Sequence, residues 1–498
     1  MEKQLDIAAQ RATGMIDWLN DKLTSYRLML YFLLALVAWA ILGSFFRQVP
    51  YSWNEIAISA IWIVGIAWGA NKSISKFLDI PANKESYLIT GLILTLILAP
   101  PKNTADFAVL AAAAAAAIAS KYVIALNKSH IFNPAAFGAL IAGEVFHKYP
   151  AWWVGTKFMT PLVVIGGILV LRKMKRFTMA GVFLAVFLLY LVFGTSFGGS
   201  LHFLWLELIS TQVLFFAVVM LTEPLTSPAK LNYSLLYAIV VGFFYTATKL
   251  KLSPEETLLL GNLLTFLLAR NRRYQLKFIS RVREADGIYS YIFSTPKGFR
   301  FKAGQYMEWT IAHNKTDARG NRRYLTIASS PTEPGLMFTI KQPRPASAFK
   351  QKLSELKPGD KILAARLAGD FILPPDSSKK IAFMAGGIGV TPFRSMIKYA
   401  IDNNQPRDMA LIYSASSPDE LSFQRLFDDA GGAGLKSHYV TDGHVDKAKI
   451  KSLLPDYKER IFYISGPYGF VNAVHKALLE LGVTGRQILT DYFPGYGT

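Results

Sequence analysis

The 498-residue chain predicts a multi-domain protein: a polytopic α-helical membrane domain of about ten helices, then a small antiparallel β-barrel, then a doubly wound α/β domain. Three observations predict it. Hydrophobic residues make up 52% of the chain and, up to about Leu268, cluster in runs of membrane-crossing length. Beyond Arg270 the runs shorten, and apolar residues alternate along stretches bounded by glycine, proline and asparagine. From Lys380 onward strand-like runs alternate with helical ones. The domain boundaries that follow are 1–273, 274–376 and 377–498.

Apolar runs fall at 28–46, 55–70, 86–100, 106–126, 133–147, 159–171, 179–197, 204–221, 233–248 and 256–269. Lys72, Lys76 and Lys84 follow the second run and Lys128 the fourth; Arg172, Lys173, Lys175 and Arg176 follow the sixth, and Arg270, Arg272 and Arg273 the last. Basic loops thus alternate with sparsely charged ones. That predicts an inner (cytoplasmic) membrane, multi-pass protein with an even number of crossings, and with both termini and residues 274–498 on the cytoplasmic side. Before Tyr26 the chain shows no cleavage site of signal-peptide type, and Met15, Ile16, Trp18 and Leu19 predict an amphipathic surface helix. The net charge of +20 follows from the same asymmetry, so the expected partner of the basic residues is a lipid bilayer and not nucleic acid.

The absence of cysteine excludes disulfides, cysteine-held iron–sulfur clusters, CxxC redox pairs and thioether-attached haem. Stacked haems need histidine pairs at two depths on facing helices, which His130, His147 and His202 do not supply. No metal site is predicted. Glu144, Glu207 and Glu223 lie in or beside apolar runs, where ionisable groups are costly. The first two are near run ends and can reach water, whereas Glu223 sits inside a proline motif.

Two motifs punctuate the helical half: Asn133-Pro134-Ala135-Ala136-Phe137-Gly138 and Thr222-Glu223-Pro224-Leu225-Thr226-Ser227-Pro228. Taken singly, each is accounted for by ordinary helix termination, because proline at a helix end stops or starts it at little cost. Together they form a pattern. Pro100 ends the third run outside and Pro134 starts the fifth inside; Pro224 ends the eighth inside and Pro254 starts the tenth outside. Two inverted five-helix repeats leave such punctuation in a sequence, and repeats of that kind bind ligands at their interface.

The stretches "HIFNPAAFGAL" and "LTEPLTSPAK" resemble the signatures of the RnfD/NqrB family, membrane subunits of ion-coupled, NADH-driven electron-transfer complexes. The resemblance implies a flavin, FMN or riboflavin, held in the helical half near Asn133, Glu223 and Thr226, with quinone or ion traffic. Family members with covalent FMN carry it on a threonine of an SGAT-type motif in a long external loop. The corresponding loop here, 147–160, is short and offers only Thr156 and Thr160, so the expected second flavin is noncovalent.

In the C-terminal half, Tyr289–Ser294, Gln305–Ile311, Tyr324–Ala328, Met337–Lys341 and Lys361–Ala365 read as strands of a small barrel. Ile381–Ala385, Met409–Ser414 and Ile461–Ser465 read as strands of a parallel, Rossmann-like sheet. This order and the motifs resemble ferredoxin–NADP reductase-like enzymes. "RRYLTIASSP" is similar to the family's flavin motif and implies that Arg323 pairs with the FAD pyrophosphate, that Thr326 hydrogen-bonds the isoalloxazine, and that Ser329 completes the motif. Leu325 stands at the usual aromatic position, and Tyr324 is expected on the other face of the strand. "PASAFKQKL" resembles the second phosphate element, with amides near Ser347 and Ala348.

"IAFMAGGIGVTPFRSM" reads as a buried strand, a glycine turn and a helix start, a form that brings backbone close to phosphate. Gly386, Gly387, Gly389, Thr391 and Pro392 match the family's nicotinamide-nucleotide motif as a set. "YISGPYGFV" resembles its CGP element, which implies that Ser465, Gly466 and Pro467 lie beside the nicotinamide, with serine in place of cysteine. The terminal "DYFPGYGT" resembles the acidic-aromatic tail, so Phe493 and Asp491 are candidates to flank the flavin. Asp419 and Glu420 after the second nucleotide-domain strand would repel a 2′-phosphate, which favours NADH over NADPH.

The combined expectation is an NAD(P)H-dependent flavin oxidoreductase with Thr326, Ser465 and Phe493 at the reacting centre. Electrons would pass from NADH through FAD to the helical half, and on to a quinone, a flavin or an extracytoplasmic redox protein. The alternative from a different class is an ion- or solute-translocating carrier coupled to, or regulated by, the reductase half.

Overall fold

A computed structural model describes residues 23–78, 84–126, 129–194, 200–228, 231–269, 273–311, 322–342 and 346–493. The amphipathic helix expected around Met15–Leu19 lies outside them. The chain divides into two compact units, Met1–Arg272 and Arg273–Thr498, one residue before the sequence-derived boundary.

The first unit is helical, and every apolar run yields helix. In order these are α1 (Ser25–Phe45), α2 (Trp53–Phe77), α3 (Lys84–Ile97), α4 (Thr104–Val123), α5 (Pro134–Glu144), α6 (Thr160–Met174), α7 (Phe177–Gly194), α8 (Leu201–Ser210), α9 (Val213–Met220), α10 (Leu231–Thr246) and α11 (Pro254–Ala269). A short hairpin of β1 (Ala125–Leu126) and β2 (Ser129–His130) precedes α5. Helices α1, α2, α4 and α7 are long and apolar enough to cross a membrane, and α8 with α9, bent by 65° at their break, make up to one more.

Two expectations need correction. The run at 133–147 gives only the 11-residue α5, about 16 Å of helix or half a hydrocarbon core, because the chain wraps back at Lys148 N–H to Ala142 C=O. The run at 204–221 is not one helix. The loop before α6 presses on the Thr211–Gln212 backbone so closely that a Cβ on Gly155 would lie 2.5 Å from the Gln212 nitrogen. The helix breaks there and resumes, ending in a π-turn over Phe216–Met220.

Helix pairing repeats itself within this unit. Helix α2 packs on α4 as α7 packs on α10; α4 on α5 as α10 on α11; α1 on α3 as α6 on α9. The two sets meet where α1 packs on α6 and α5 on α11. Small residues set the closest approaches, as expected where helices pack without a hydrophobic drive between them. A Cβ on Gly138 of α5 would lie 2.5 Å from the Ala113 carbonyl of α4, and one on Gly261 of α11 would lie 2.3 Å from Val241 of α10.

The second unit carries two sheets. The first joins β3 (Arg273–Ala285), β4 (Ile288–Ser294), β5 (Tyr306–Thr310), β6 (Arg322–Thr326), β7 (Gly335–Lys341) and β8 (Lys361–Ala368) in the antiparallel order β6-β5-β8-β3-β4-β7. Strand β3 shifts register between Phe278 and Ser280, so its first half pairs with β8 and its second with β4. The closed barrel expected from the sequence is not formed by ladders among the described residues. After Thr326 the chain leaves strand geometry, and the end strands β6 and β7 are tied only beyond that point, by Ala328 N–H to Met337 C=O at 2.7 Å. Trp309, Phe338, Phe293 and Tyr291 fill the interior.

The second sheet is parallel, with order β11-β10-β9-β12-β13: β9 (Ile381–Gly386), β10 (Met409–Ser414), β11 (Leu435–Val440), β12 (Ile461–Pro467) and β13 (Ile488–Phe493). All six residues of β9 are buried, as a central strand covered on both faces must be. Helix α13 (Thr391–Asp402) lies with the core on one face, and α16 (Tyr468–Glu480) with the core on the other. The strand order reverses between β9 and β12, the place where open α/β sheets bind ligands.

Candidate functional site

Both nucleotide motifs stand at that reversal. The glycine turn follows β9, and Ser465-Gly466-Pro467 ends β12. Gly387 has φ +52° with open space around it, so it makes the turn. Gly389 acts differently: a Cβ there would lie 2.3 Å from the Ser465 carbonyl and 2.5 Å from Gly466 Cα. The two motifs therefore touch backbone to backbone, and Gly386 packs under the Phe470 ring. Thr391 and Pro392 open α13, where the missing proline N–H costs nothing, and the Thr391 hydroxyl donates to the Ile388 carbonyl at 3.2 Å.

Helix α13 also carries the flavin motif. Ser395 Oγ donates to the Ser329 carbonyl at 2.6 Å, and Arg394 Nη1 donates to the Ala328 carbonyl at 3.2 Å. Arg394 is held in turn by a two-point pair with Glu333, one arm at 2.8 Å. The Ser329 hydroxyl accepts the Met337 N–H at 3.0 Å, so this residue ties the sheet ends together as well as completing the motif. Arg394, Ser395 and Glu333 were not singled out from the sequence; a helix-borne arginine beside a motif has no spacing signature of its own.

The phosphate elements converge. Arg323 is buried on β6, with its guanidinium 5.0 Å from the ring centre of Phe349. Phe349 lies in α12 (Ala348–Ser354), whose N-cap is Ser347; the Ser347 hydroxyl accepts from Lys350 N–H at 3.4 Å. The predicted Arg323, Ser347 and Ala348 are thus brought together. Tyr324 faces outward as expected, 44% exposed, with its hydroxyl donating to Glu308 at 2.8 Å.

Two hydroxyls decide whether a cofactor fits. Thr326 Oγ1 and Ser465 Oγ are buried and lack any hydrogen-bond partner among the described residues. A buried hydroxyl without a partner costs on the order of 1–3 kcal/mol, and a bound ring with polar edges would satisfy both. In register, Asp491 stands beside Ser465 and Phe493 beside Pro467. The backbone of the tail therefore reaches the site, whereas the Phe493 side chain lies outside the described residues.

The nucleotide-preference residues differ in what they can do. Glu420 is paired with Lys341 at 2.6 Å, so its charge is largely spent, while Asp419 remains exposed.

In the helical unit the predicted Asn133, Glu223 and Thr226 also meet. Asn133 N–H donates to Asn262 Oδ1 at 2.8 Å, its Nδ2 reaches the Met220 carbonyl at 3.4 Å, and its Oδ1 caps Ala136. Glu223 receives Thr226 Oγ1 at 2.8 Å and lies 3.2 Å from His130 Nε2; Asn262 Nδ2 donates to the Thr226 carbonyl at 3.3 Å. His130 and Asn262 were missed, although a buried asparagine within an apolar run was a readable signal. An adjoining cleft lined by Lys121, Thr90, Asn133 and Glu223 holds about 60 Å³, room for a few waters. The polar groups of the cluster bond to one another, and the cleft opens beside them.

Residues 383–476 match the model of the oxidoreductase NAD-binding domain. A glycine betaine monooxygenase reductase subunit of Chromohalobacter salexigens is 25% identical over 230 residues, covering 43% of this chain and 62% of that protein. Flavohemoprotein A of Dictyostelium discoideum is 25% identical over 231 residues, 43% of this chain and 58% of that protein. An NADPH oxidoreductase of Mycobacterium tuberculosis is 27% identical over 203 residues, 39% of this chain and 53% of that protein. The chain thus spans less than two thirds of the length of each of these relatives. Among solved structures, the flavohem-like FAD/NAD-binding domain of nitric oxide dioxygenase from Vibrio cholerae is similar at a TM-score of 0.39 and 19% identity, over 44% of this chain and 98% of that one. Within the second unit, residues 383–476 are therefore an oxidoreductase NAD-binding domain.

Proposed function

We propose that the protein is a membrane-bound, NADH-dependent flavoprotein oxidoreductase that delivers electrons from NADH through FAD to an acceptor at the helical unit. The observation that carries this reading is the pair of buried, unpartnered hydroxyls, Thr326 Oγ1 and Ser465 Oγ, at the two motifs that α13 joins. FAD, when bound, would supply the exchange between two-electron and one-electron transfer. Arg323 and the α12 start would hold its phosphates, and the Thr326 hydroxyl would donate to the ring. The Gly387 turn and the α13 start would receive the NADH phosphates. Ser465 would fix the nicotinamide edge, and exposed Asp419 would disfavour a 2′-phosphate.

The acceptor we propose is a quinone, a flavin or an extracytoplasmic redox protein, with the helical unit in the inner membrane and the second unit on its cytoplasmic side. The alternating basic loops support that placement. The resemblance to the RnfD/NqrB family supports the direction of transfer. The Asn133, Glu223 and Thr226 cluster supplies polar groups beside which the second, noncovalent flavin implied by that resemblance, FMN or riboflavin, would lie. Flavin analysis and anaerobic NADH titration of detergent-purified protein test the reading. The expected result is bound FAD reduced by NADH in preference to NADPH, with a second flavin per chain if the helical unit relays electrons; FAD alone would remove that relay, and protein that binds no flavin would refute the reading.

The repeated helix pairing favours one second reading, a carrier for an ion or solute driven or regulated by the reductase unit. Uptake into proteoliposomes without NADH oxidation would support it over electron delivery.

A further inference from the structure

We propose that Glu255 is a proton-exchange carboxyl, at the end of α11 opposite the Asn133–Glu223 cluster, from which polar groups are spaced along α10 and α11 toward that cluster. The inference rests on the reading of the first unit as membrane-spanning.

Glu255 is 2% exposed in the first turn of α11. An acidic residue in a first turn is ordinarily a solvated partner of the helix dipole. Here its neighbour does that work: Glu256 accepts the Ser253 N–H at 2.7 Å, and the Ser253 hydroxyl accepts the Glu256 N–H. Glu255 instead turns inward and receives the indole N–H of Trp152 at 3.3 Å. Its own amide and the Ser253 hydroxyl are further neutral donors near it. No lysine, arginine or histidine among the described residues forms an ion pair with it. A buried carboxylate without a cation is costly in an apolar unit, and such groups are retained where charge must be taken up and released.

The chemistry points to a proton rather than a metal ion. The groups around the carboxyl are N–H and O–H donors, and no group of three or more His, Cys, Asp or Glu among the described residues could hold a metal. The titratable groups whose fields reach it are Tyr245 on α10 and Glu256 in its own turn.

A route leads inward from there. Asn262 lies two turns along the same face of α11, about 10 Å away along the axis, and is fully buried. It donates to the Tyr237 hydroxyl at 3.3 Å and to the Thr226 carbonyl at 3.3 Å, and Thr226 Oγ1 donates to Glu223. On α10, half-buried Tyr245 and buried Tyr237 are likewise two turns apart. Polar groups therefore stand at two-turn intervals on α10 and α11 between the two carboxyls, with buried Leu258, Leu259 and Val241 in the intervals.

Full-length protein in liposomes with a lumenal pH dye tests this, under a potassium diffusion potential and again during NADH oxidation. Wild-type should move protons in at least one condition, and Glu255→Gln should lower that flux by roughly tenfold or more. Exposed Glu144→Gln should match wild-type. Dicyclohexylcarbodiimide, which adds to carboxylic acids in apolar surroundings, should modify Glu255 of wild-type protein and block the flux, a readout that needs no variant to fold. Glu255→Gln with wild-type flux, or wild-type protein with no Glu255-dependent flux and no modification at Glu255, would overturn the proposal. Failure of NADH to reduce bound flavin would sink the electron-transfer reading and leave the passive flux measurement intact.

Discussion

Single hydroxyls at the proposed reacting centre carry measurable expectations. Thr326→Val keeps the shape and removes the donor, so NADH-dependent flavin reduction should slow about tenfold, with flavin content kept. Ser465→Ala should slow it similarly, and Ser465→Cys should equal or exceed wild-type in stopped-flow traces. Arg323→Leu should weaken FAD retention roughly 100-fold by ultrafiltration, through lost charge-assisted bonds to phosphate. A titrating aspartate gives a test in pH. Hydrogen bonds from Arg460 hold the Asp456 carboxyl below the usual aspartate range, against the opposing effect of partial burial, with Lys380 adding to the lowering. Because its folded value is depressed, its contribution is fully present above the unfolded value near ~3.9 and disappears as pH falls through the folded one. In urea melts, Asp456→Asn should therefore be less stable than wild-type at neutral pH and should converge with it in that acid window. At this scale the motifs picked out Arg323, Thr326 and Ser465, all three of which are buried, and their roles at a cofactor are proposals that these variants test. The sequence was silent on Arg394, Ser395 and Glu333, whose role comes from where a helix happens to lie.

Turns and helix ends behave as units, and the glycine turn separates two kinds of glycine. Gly389→Ala forces a Cβ into the Ser465 carbonyl and should cost about 3 kcal/mol and NADH binding together. Gly387→Ala meets no neighbour and should cost only about 1 kcal/mol, for its positive φ. Chemical melts of the two variants beside their NADH titrations make the comparison. Strand positions and the parallel sheet were legible because burial on both faces of β9 leaves a continuous apolar run. The break between α8 and α9 was not. The polar run Ser210-Thr211-Gln212 is too short an interruption of 204–221 to specify a bend by itself, and what fixes the break is Gly155, dozens of residues earlier, wedged against Gln212. The open order of the first sheet was hidden for a similar reason: closure depends on how the Ile327–Pro331 stretch leaves β6, and strand periodicity does not reach it.

For the molecule as a whole, the cysteine-free sequence makes sidedness directly measurable. Lys251→Cys, between α10 and α11, should react with an impermeant maleimide on intact cells, and Ser73→Cys near the end of α2 should react only after permeabilisation. The reverse pattern would invert the proposed orientation. The division near Arg273 was legible from composition, because the two units differ strongly in apolar content. Internal pairing of the helices was legible only as proline punctuation, since repeat symmetry survives in backbone packing after side chains have diverged.

The Lys341–Glu420 pair bears on how such a reductase can be re-engineered. The residue that would be exchanged to admit a phosphorylated dinucleotide also fastens β7 to the loop after β10, and the neighbouring Asp419 carbonyl accepts the Asp286 N–H at 2.8 Å from the β3–β4 turn. At Glu420 the proposed coenzyme preference and the seam between the two sheets would therefore change together. A swap at Glu420 alone should loosen that seam, and retuning the coenzyme would begin more safely at Asp419, whose side chain is exposed.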